Sequence, residues 1–174
     1  MSVWPISTLT DSNASKGAYL FAALVAAIVP AQIIGIVLSQ VLDPAQLEAV
    51  NEAVLTDEVP FPVLAFLLVV FAPVVETFFM VIIFWVTRLL RCPPWLQVAI
   101  QVVIWAIAHG SQAFAWAFAP AWLFFIFSIV YLTRRKNSFG EAFALTTLVH
   151  AGNNAIPTAL LALQVYGVLP EAAL

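Results

Sequence analysis

Charged side chains are scarce in this chain. Asp, Glu, Lys and Arg make up 9% of its 174 residues, whereas a soluble domain carries about 25%, so a water-soluble globule is excluded. Basic residues number six, too few for a nucleic-acid surface, and no nucleic-acid partner is expected. Cysteine occurs once, as Cys92, so neither an internal disulfide nor a cysteine-based metal cluster can form. Neither a Gly-rich phosphate loop nor a Ser–His–Asp arrangement is apparent, and no segment repeats. Histidine occurs only twice, as His109 and His150.

What is abundant is apolar: hydrophobic residues form 64% of the chain and mean hydropathy is +1.05. The expected fold is all-α, a polytopic transmembrane helix bundle of about five to six spans in one integral-membrane domain, residues 1–174. Hydrophobic runs cover Gly17–Val41, Phe61–Leu90, Pro94–His109, Ala113–Leu132 and Phe139–Val165. The third is short and the second long for a bilayer core that needs ~20 residues. The boundary between the third and fourth is ambiguous, because Gly110–Gln112 separates them and Pro120 lies inside the fourth; the fourth helix could equally start near Pro120. The polar stretch before Gly17 is too long for a cleaved signal, so the first run reads as an uncleaved span.

Lys16, Arg88, Arg91, Arg134, Arg135 and Lys136 are the basic residues, and five alternating spans place all of them on one side. The positive-inside rule then sets the N-terminus in the cytoplasm and the C-terminus outside. The loop over residues 42–60 falls on the outer side and carries Asp43, Glu48, Glu52, Asp57 and Glu58 but no Lys or Arg. Asp43-Pro44 predicts an N-cap followed by proline at the first helical position. Leu47, Val50 and Val54 recur at helical spacing after it. This short amphipathic helix is either a connector resting on lipid or a lid over a site below.

The rare ionisable groups sit inside the apolar runs. Glu76, His109 and His150 each interrupt hydrocarbon-rich sequence, and Asn154 follows His150 by one turn. A charge at bilayer depth costs roughly 2.5–3.5 kcal/mol on insertion scales, so such residues are kept for a reason. Taken singly, each has a plain structural reading as an interhelical hydrogen bond. Their depths argue for more. From the cytoplasmic ends, Glu76 lies about 18 Å from Arg88, His109 about 21 Å from Trp95 and His150 about 16 Å from Phe139, at 1.5 Å per residue. Three helices thus carry their polar groups at one level. Pro73 and Pro157 loosen two of those helices nearby, and Pro73 is expected to free the carbonyl of Val69.

A carboxylate, two imidazoles and a carboxamide can activate water. Glu76 suits a general base, and a histidine with Asn154 suits an oxyanion site on an amide carbonyl. Glu76, His109 and His150 could also hold zinc, but no His-Glu-x-x-His pattern supports this, and no cofactor is required.

These residues resemble the CAAX protease and bacteriocin-processing family (CPBP, or Abi). That family carries Glu-Glu-x-x-x-Arg, Phe-x-x-x-His and His-x-x-x-Asn motifs. Here the regions read Ala72-Pro73-Val74-Val75-Glu76-Thr77-Phe78-Phe79-Met80-Val81, Trp105-Ala106-Ile107-Ala108-His109 and His150-Ala151-Gly152-Asn153-Asn154. The likeness runs roughly from Phe61 to Leu160. Thr77 stands for the second glutamate, Val81 for the arginine and Trp105 for the phenylalanine. The resemblance implies a helical intramembrane endopeptidase in which Glu76 and a histidine activate water, with the other histidine and Asn154 holding the oxyanion. The expected substrate is a membrane-associated or exported peptide or protein, and the expected surroundings are membrane lipid. Two other readings stand beside it. One is a small substrate-binding component of a transporter, for which Ala23, Ala27 and Ala31, with Ala22 and Ala26, form ridges suited to docking a partner helix, although such ridges are common and Ala113, Ala117 and Ala121 form another. The other is a non-catalytic immunity or scaffold relative.

Overall fold

Some of the prolines that interrupt the hydrophobic sequence open helices, as Pro44 and Pro94 do, whereas Pro30, Pro73 and Pro157 lie inside them. The structure, a computed structural model, describes residues 4–54 and 59–168, the side chain of Val54 excepted. Asp57 and Glu58 of the outer loop lie outside the described residues. All regular structure among the described residues is helical: α1 (Ile6–Leu9), α2 (Lys16–Val41), α3 (Pro44–Val54), α4 (Phe61–Leu89), α5 (Pro94–Gly110), α6 (Phe118–Arg134) and α7 (Phe139–Val165). Three helical stretches are long and apolar enough to cross a membrane: α2, α4, and α6 with the turn before it, Phe114–Arg134. Helix α5 is apolar but has 17 residues. Helix α7 has 27 residues, yet it carries Glu141, His150, Asn153, Asn154 and Gln164.

The uncertain boundary after His109 resolves into three pieces. Helix α5 stops at Gly110, a 3-10 turn covers Phe114–Ala117, and α6 begins at Phe118. Pro120 therefore falls in the first turn of α6, where a missing N–H leaves no intrahelical bond unmade. The start lies near Pro120, the second of the two expected places, rather than at Ala113. Gly110 is needed for the fold-back: a Cβ there would stand 2.9 Å from the Cβ of Ala117.

Helix α6 is the centre of the bundle and packs against α2, α5 and α7, while α4 packs on α7. The core joins Tyr19, Ala23 and Ala27 of α2, Met80 and Phe84 of α4, Phe124, Phe127, Val130 and Tyr131 of α6, and Leu145 and Val149 of α7. The alanine ridge of α2 is buried inside the chain itself, with Ala22, Ala23 and Ala27 at 0% exposure. The second ridge is also used internally, since Ala113 is buried and Ala117 meets Gly110. Neither ridge is free to dock a partner helix, because small residues let the chain's own helices approach.

Pro30 lies inside α2 and cannot donate to the carbonyl of Ala26, four residues earlier. Trp122 Nε1 of α6 supplies that bond at 2.9 Å. A helix defect thereby becomes an interhelical tie. Trp122→Phe is expected to keep the ring packing but strand the carbonyl, costing about 1 kcal/mol. Thermal unfolding in detergent measures it.

The N-terminal segment is pinned by one buried cation. Arg134, 2% exposed, donates to the carbonyls of Ser12 at 2.9 Å and Ala14 at 2.8 Å and to Glu141 Oε1 at 3.1 Å. Its guanidinium lies 3.7 Å from the Tyr19 ring centroid. Asn137 Nδ2 also donates to Ser12 O, at 2.8 Å.

Candidate functional site

Helix α4 is not a regular α-helix throughout. Residues Leu67–Phe71 form a π-helical turn in which the Ala72 N–H donates to Leu67 O, five residues back. In that register the donor due to meet Leu68 O is residue 73, a proline. The carbonyl left free is thus Leu68's, rather than Val69's as an α-helical register requires. Asn154 Nδ2 of α7 donates to it at 3.0 Å. The local break seen in the sequence at Pro73 is a docking point for one of the proposed site residues.

That bond sits at the wall of a cavity of about 500 Å³. Glu76 from α4, His109 from α5, and His150 and Asn154 from α7 all line it. The structure brings together all four residues singled out by their polarity and depth. Helix α3 borders the cavity with Val50 and Asn51, and α3 packs on the 3-10 turn 114–117. It begins at Pro44, as expected, and Asp43 Oδ1 accepts from the Ala45 N–H at 3.0 Å.

Within the cavity His150 Nε2 is 3.7 Å from Glu76 Oε2, a contact longer than a hydrogen bond. His150 is 4% exposed and stacks on Phe127 with centroids 4.6 Å apart. Phe124 stands between the imidazoles, its centroid 5.8 Å from His109 and 5.7 Å from His150. Glu76 faces inward, and its Oε2 is buried without a hydrogen-bond partner. Among the described residues no three His, Cys, Asp or Glu side chains gather closely enough to hold a metal ion. Glu76, His109 and His150 therefore share a cavity without forming a ligand cluster.

The hydrogen bonds distinguish the two histidines. His109 Nδ1 lies 2.9 Å from Trp105 O. A carbonyl only accepts, so Nδ1 carries the proton and Nε2 of the neutral ring keeps its lone pair. On His150 the atom facing the Glu76 carboxylate is Nε2, a position that favours N–H there. Asn154 uses one amide N–H on Leu68, keeps the second, and its Oδ1 accepts from Asn153 Nδ2 at 3.1 Å. The site thus offers an acceptor on α5 and two donors one turn apart on α7.

Sequence reading passed over a supporting stripe on α5. Gln101 is fully buried, donates from Nε2 to Met80 O of α4 at 2.7 Å and accepts from Trp105 Nε1 at 3.2 Å. Trp105 stacks on Phe124 at 4.3 Å between centroids, interplanar angle 7°. Its carbonyl in turn fixes His109. The signal was present as Gln97, Gln101, Trp105 and His109, each four residues apart. Asn51 and Asn153 on the cavity wall were also missed as site residues. Thr77 is 0% exposed with an unpartnered Oγ1, and Val81 packs on the core. Neither side chain carries a charge, so none is stranded in the core there.

Comparison with protein-family models, with curated proteins and with solved structures gives no match.

Asn154→Ala is expected to remove the tie to Leu68. The thermal midpoint should drop by the equivalent of about 1–2 kcal/mol. Asn154→Asp, which loses the N–H but keeps the shape, separates the donor's share from packing.

Proposed function

We propose that the chain is a five-span intramembrane endopeptidase, resembling the CPBP family, that hydrolyses an amide bond with activated water. The observation that carries the reading is the convergence of Glu76, His109, His150 and Asn154, from three helices, on one cavity. In this mechanism a water sits between the Glu76 carboxylate and the His109 Nε2 lone pair. Glu76 takes one proton as the water oxygen bonds to the carbonyl carbon. The oxyanion formed accepts from His150 Nε2–H and the free Asn154 N–H. As the tetrahedral intermediate collapses the C–N bond breaks, and the proton on Glu76 passes to the leaving amine. The products are a carboxylic acid and an amine, and no metal is required.

The positions of the six basic residues support a cytoplasmic N-terminus and an external C-terminus. The cavity then lies towards the outer face, beneath α3, which acts as its cover. A substrate reaching it is a membrane-anchored or exported segment. The test is labelling of new peptide N-termini in membranes from cells making the wild-type chain or its His109→Gln variant. The reading predicts a set of cleaved, membrane-proximal ends present only with the wild type. Identical sets would sink it.

The size of the cavity also suits a small ligand, which keeps a transport-component reading open as a competitor. Such a component retains its ligand through purification, whereas a peptidase leaves the cavity to water. Mass spectrometry of the purified chain separates the two.

A further inference from the structure

A second cavity, about 360 Å³, lies at the other end of the helices that hold the first. Arg88 at the end of α4, Pro94 and Gln97 at the start of α5, and Leu132, Arg135 and Lys136 at the end of α6 line it. Half of the chain's six basic residues converge here. None of the three pairs with a carboxylate among the described residues, where the ion pairs made by Lys and Arg are Lys16–Glu141 and Arg134–Glu141. Orientation in a membrane requires basic residues on one side, but it does not require them to line one cavity.

Gln97 adds a second, independent observation. It is 6% exposed, and its Nε2 donates to Cys92 O at 2.7 Å. Its Oε1 is buried with no partner. An unpartnered acceptor beside three cations that lack a carboxylate partner suits an anion that also carries a donor.

We propose that this cavity binds the headgroup of an anionic phospholipid with a hydroxyl-bearing head, of the phosphatidylglycerol type. Arg88, Arg135 and Lys136 meet the phosphate, the guanidinium forks offering paired N–H donors. Gln97 Oε1 accepts from a headgroup hydroxyl, and Pro94 and Leu132 supply the apolar part of the lining. In the five-span orientation the site opens at the cytoplasmic headgroup level, where anionic lipids attract basic residues. This inference needs the chain to lie in a membrane but not to cleave anything, so it stands or falls separately from the peptidase reading.

The test is native mass spectrometry of the full chain in micelles, titrated with phosphatidylglycerol, phosphatidic acid or phosphatidylcholine of matched acyl chains. Wild type should retain phosphatidylglycerol over phosphatidylcholine. Arg88→Gln/Arg135→Gln/Lys136→Gln should lose that preference, by roughly 100-fold for three cations. Arg88→Gln alone should lose part of it, and Arg91→Gln, outside the cavity, none. Gln97→Leu keeps every charge and should weaken phosphatidylglycerol while sparing phosphatidic acid, which lacks the headgroup hydroxyl. If the triple variant fails to fold, the single variants carry the test. Equal retention of the lipids, or equal loss in Arg91→Gln and Arg88→Gln, overturns the proposal. Inorganic phosphate binding at the site without any lipid preference overturns the lipid assignment in favour of a soluble anion.

Discussion

Under the proposed peptidase mechanism, Glu76→Gln is expected to abolish peptide hydrolysis, with a fall of about 10³-fold in rate, while leaving the chain folded. The substitution keeps size and shape but removes the group that accepts the proton of water. Stability should hold or rise. Glu76 Oε2 is buried without a hydrogen bond and only 3.7 Å from an imidazole nitrogen, so a neutral amide there loses little and costs less to desolvate. His109→Gln should fall by about 10²-fold or more, and the double variant should be little worse than Glu76→Gln alone, because groups acting on one water are not additive. Measured hydrolysis rates and thermal midpoints on the same preparations decide it. A Glu76→Gln chain that cleaves at the wild-type rate removes the mechanism; one that cannot fold assigns Glu76 to packing.

Arg134→Met should be the most destabilising single change outside the cavity, at about 3–5 kcal/mol. Methionine fills much of the same space but offers no donor. The carbonyl of Ala14 then loses the side-chain donor it has at 2.8 Å, and Glu141 is left to Lys16 at 3.7 Å and Asn137 at 3.1 Å. The face of Tyr19 also loses its cation. Since Tyr19 OH donates to Leu9 O at 3.1 Å, the loss should spread to α1, and proteolysis should reach residues 4–15 sooner. Arg134→Lys should fall between, because an ammonium keeps the charge but cannot reach both carbonyls as a fork does. Arg91→Gln, on an exposed turn, should shift the midpoint by less than about 0.5 kcal/mol. Equal midpoints for Arg134→Met and Arg91→Gln would contradict the role given to Arg134.

Particular residues show why some of this architecture was legible in the sequence. The run Phe139–Val165 coincides with α7 because Ser138 caps it, its hydroxyl accepting from the Glu141 N–H. Pro94 opens α5 for a similar reason: proline suits the first helical turn. Glu76, His109, His150 and Asn154 stood out because polar groups are rare in apolar runs, and one rise per residue placed them at one depth. The π-helical turn was not legible. Leu67–Phe71 is uniformly apolar, so no pattern marks a five-residue register, and only Pro73 hinted at a defect. The fold-back at 110–118 depends on Gly110 meeting Ala117, a contact between segments that periodicity does not see. Arg134 served the sequence reading only as a marker of sidedness, because which carbonyls it reaches is settled by tertiary structure. The alanine ridge of α2 was seen, but sequence cannot say whether a small-residue face meets another chain or its own.

The central claim is that Glu76 and His109 activate a water directly. Its most direct test is hydrolysis by the purified chain in liposomes, using a segment recovered from the labelling experiment, under single-turnover conditions in heavy-oxygen water. The account predicts cleavage by the chain alone, one heavy oxygen in the new carboxylate, and no acylated chain at any time by intact mass. An acyl adduct on the chain, or no cleavage without another protein, would contradict it.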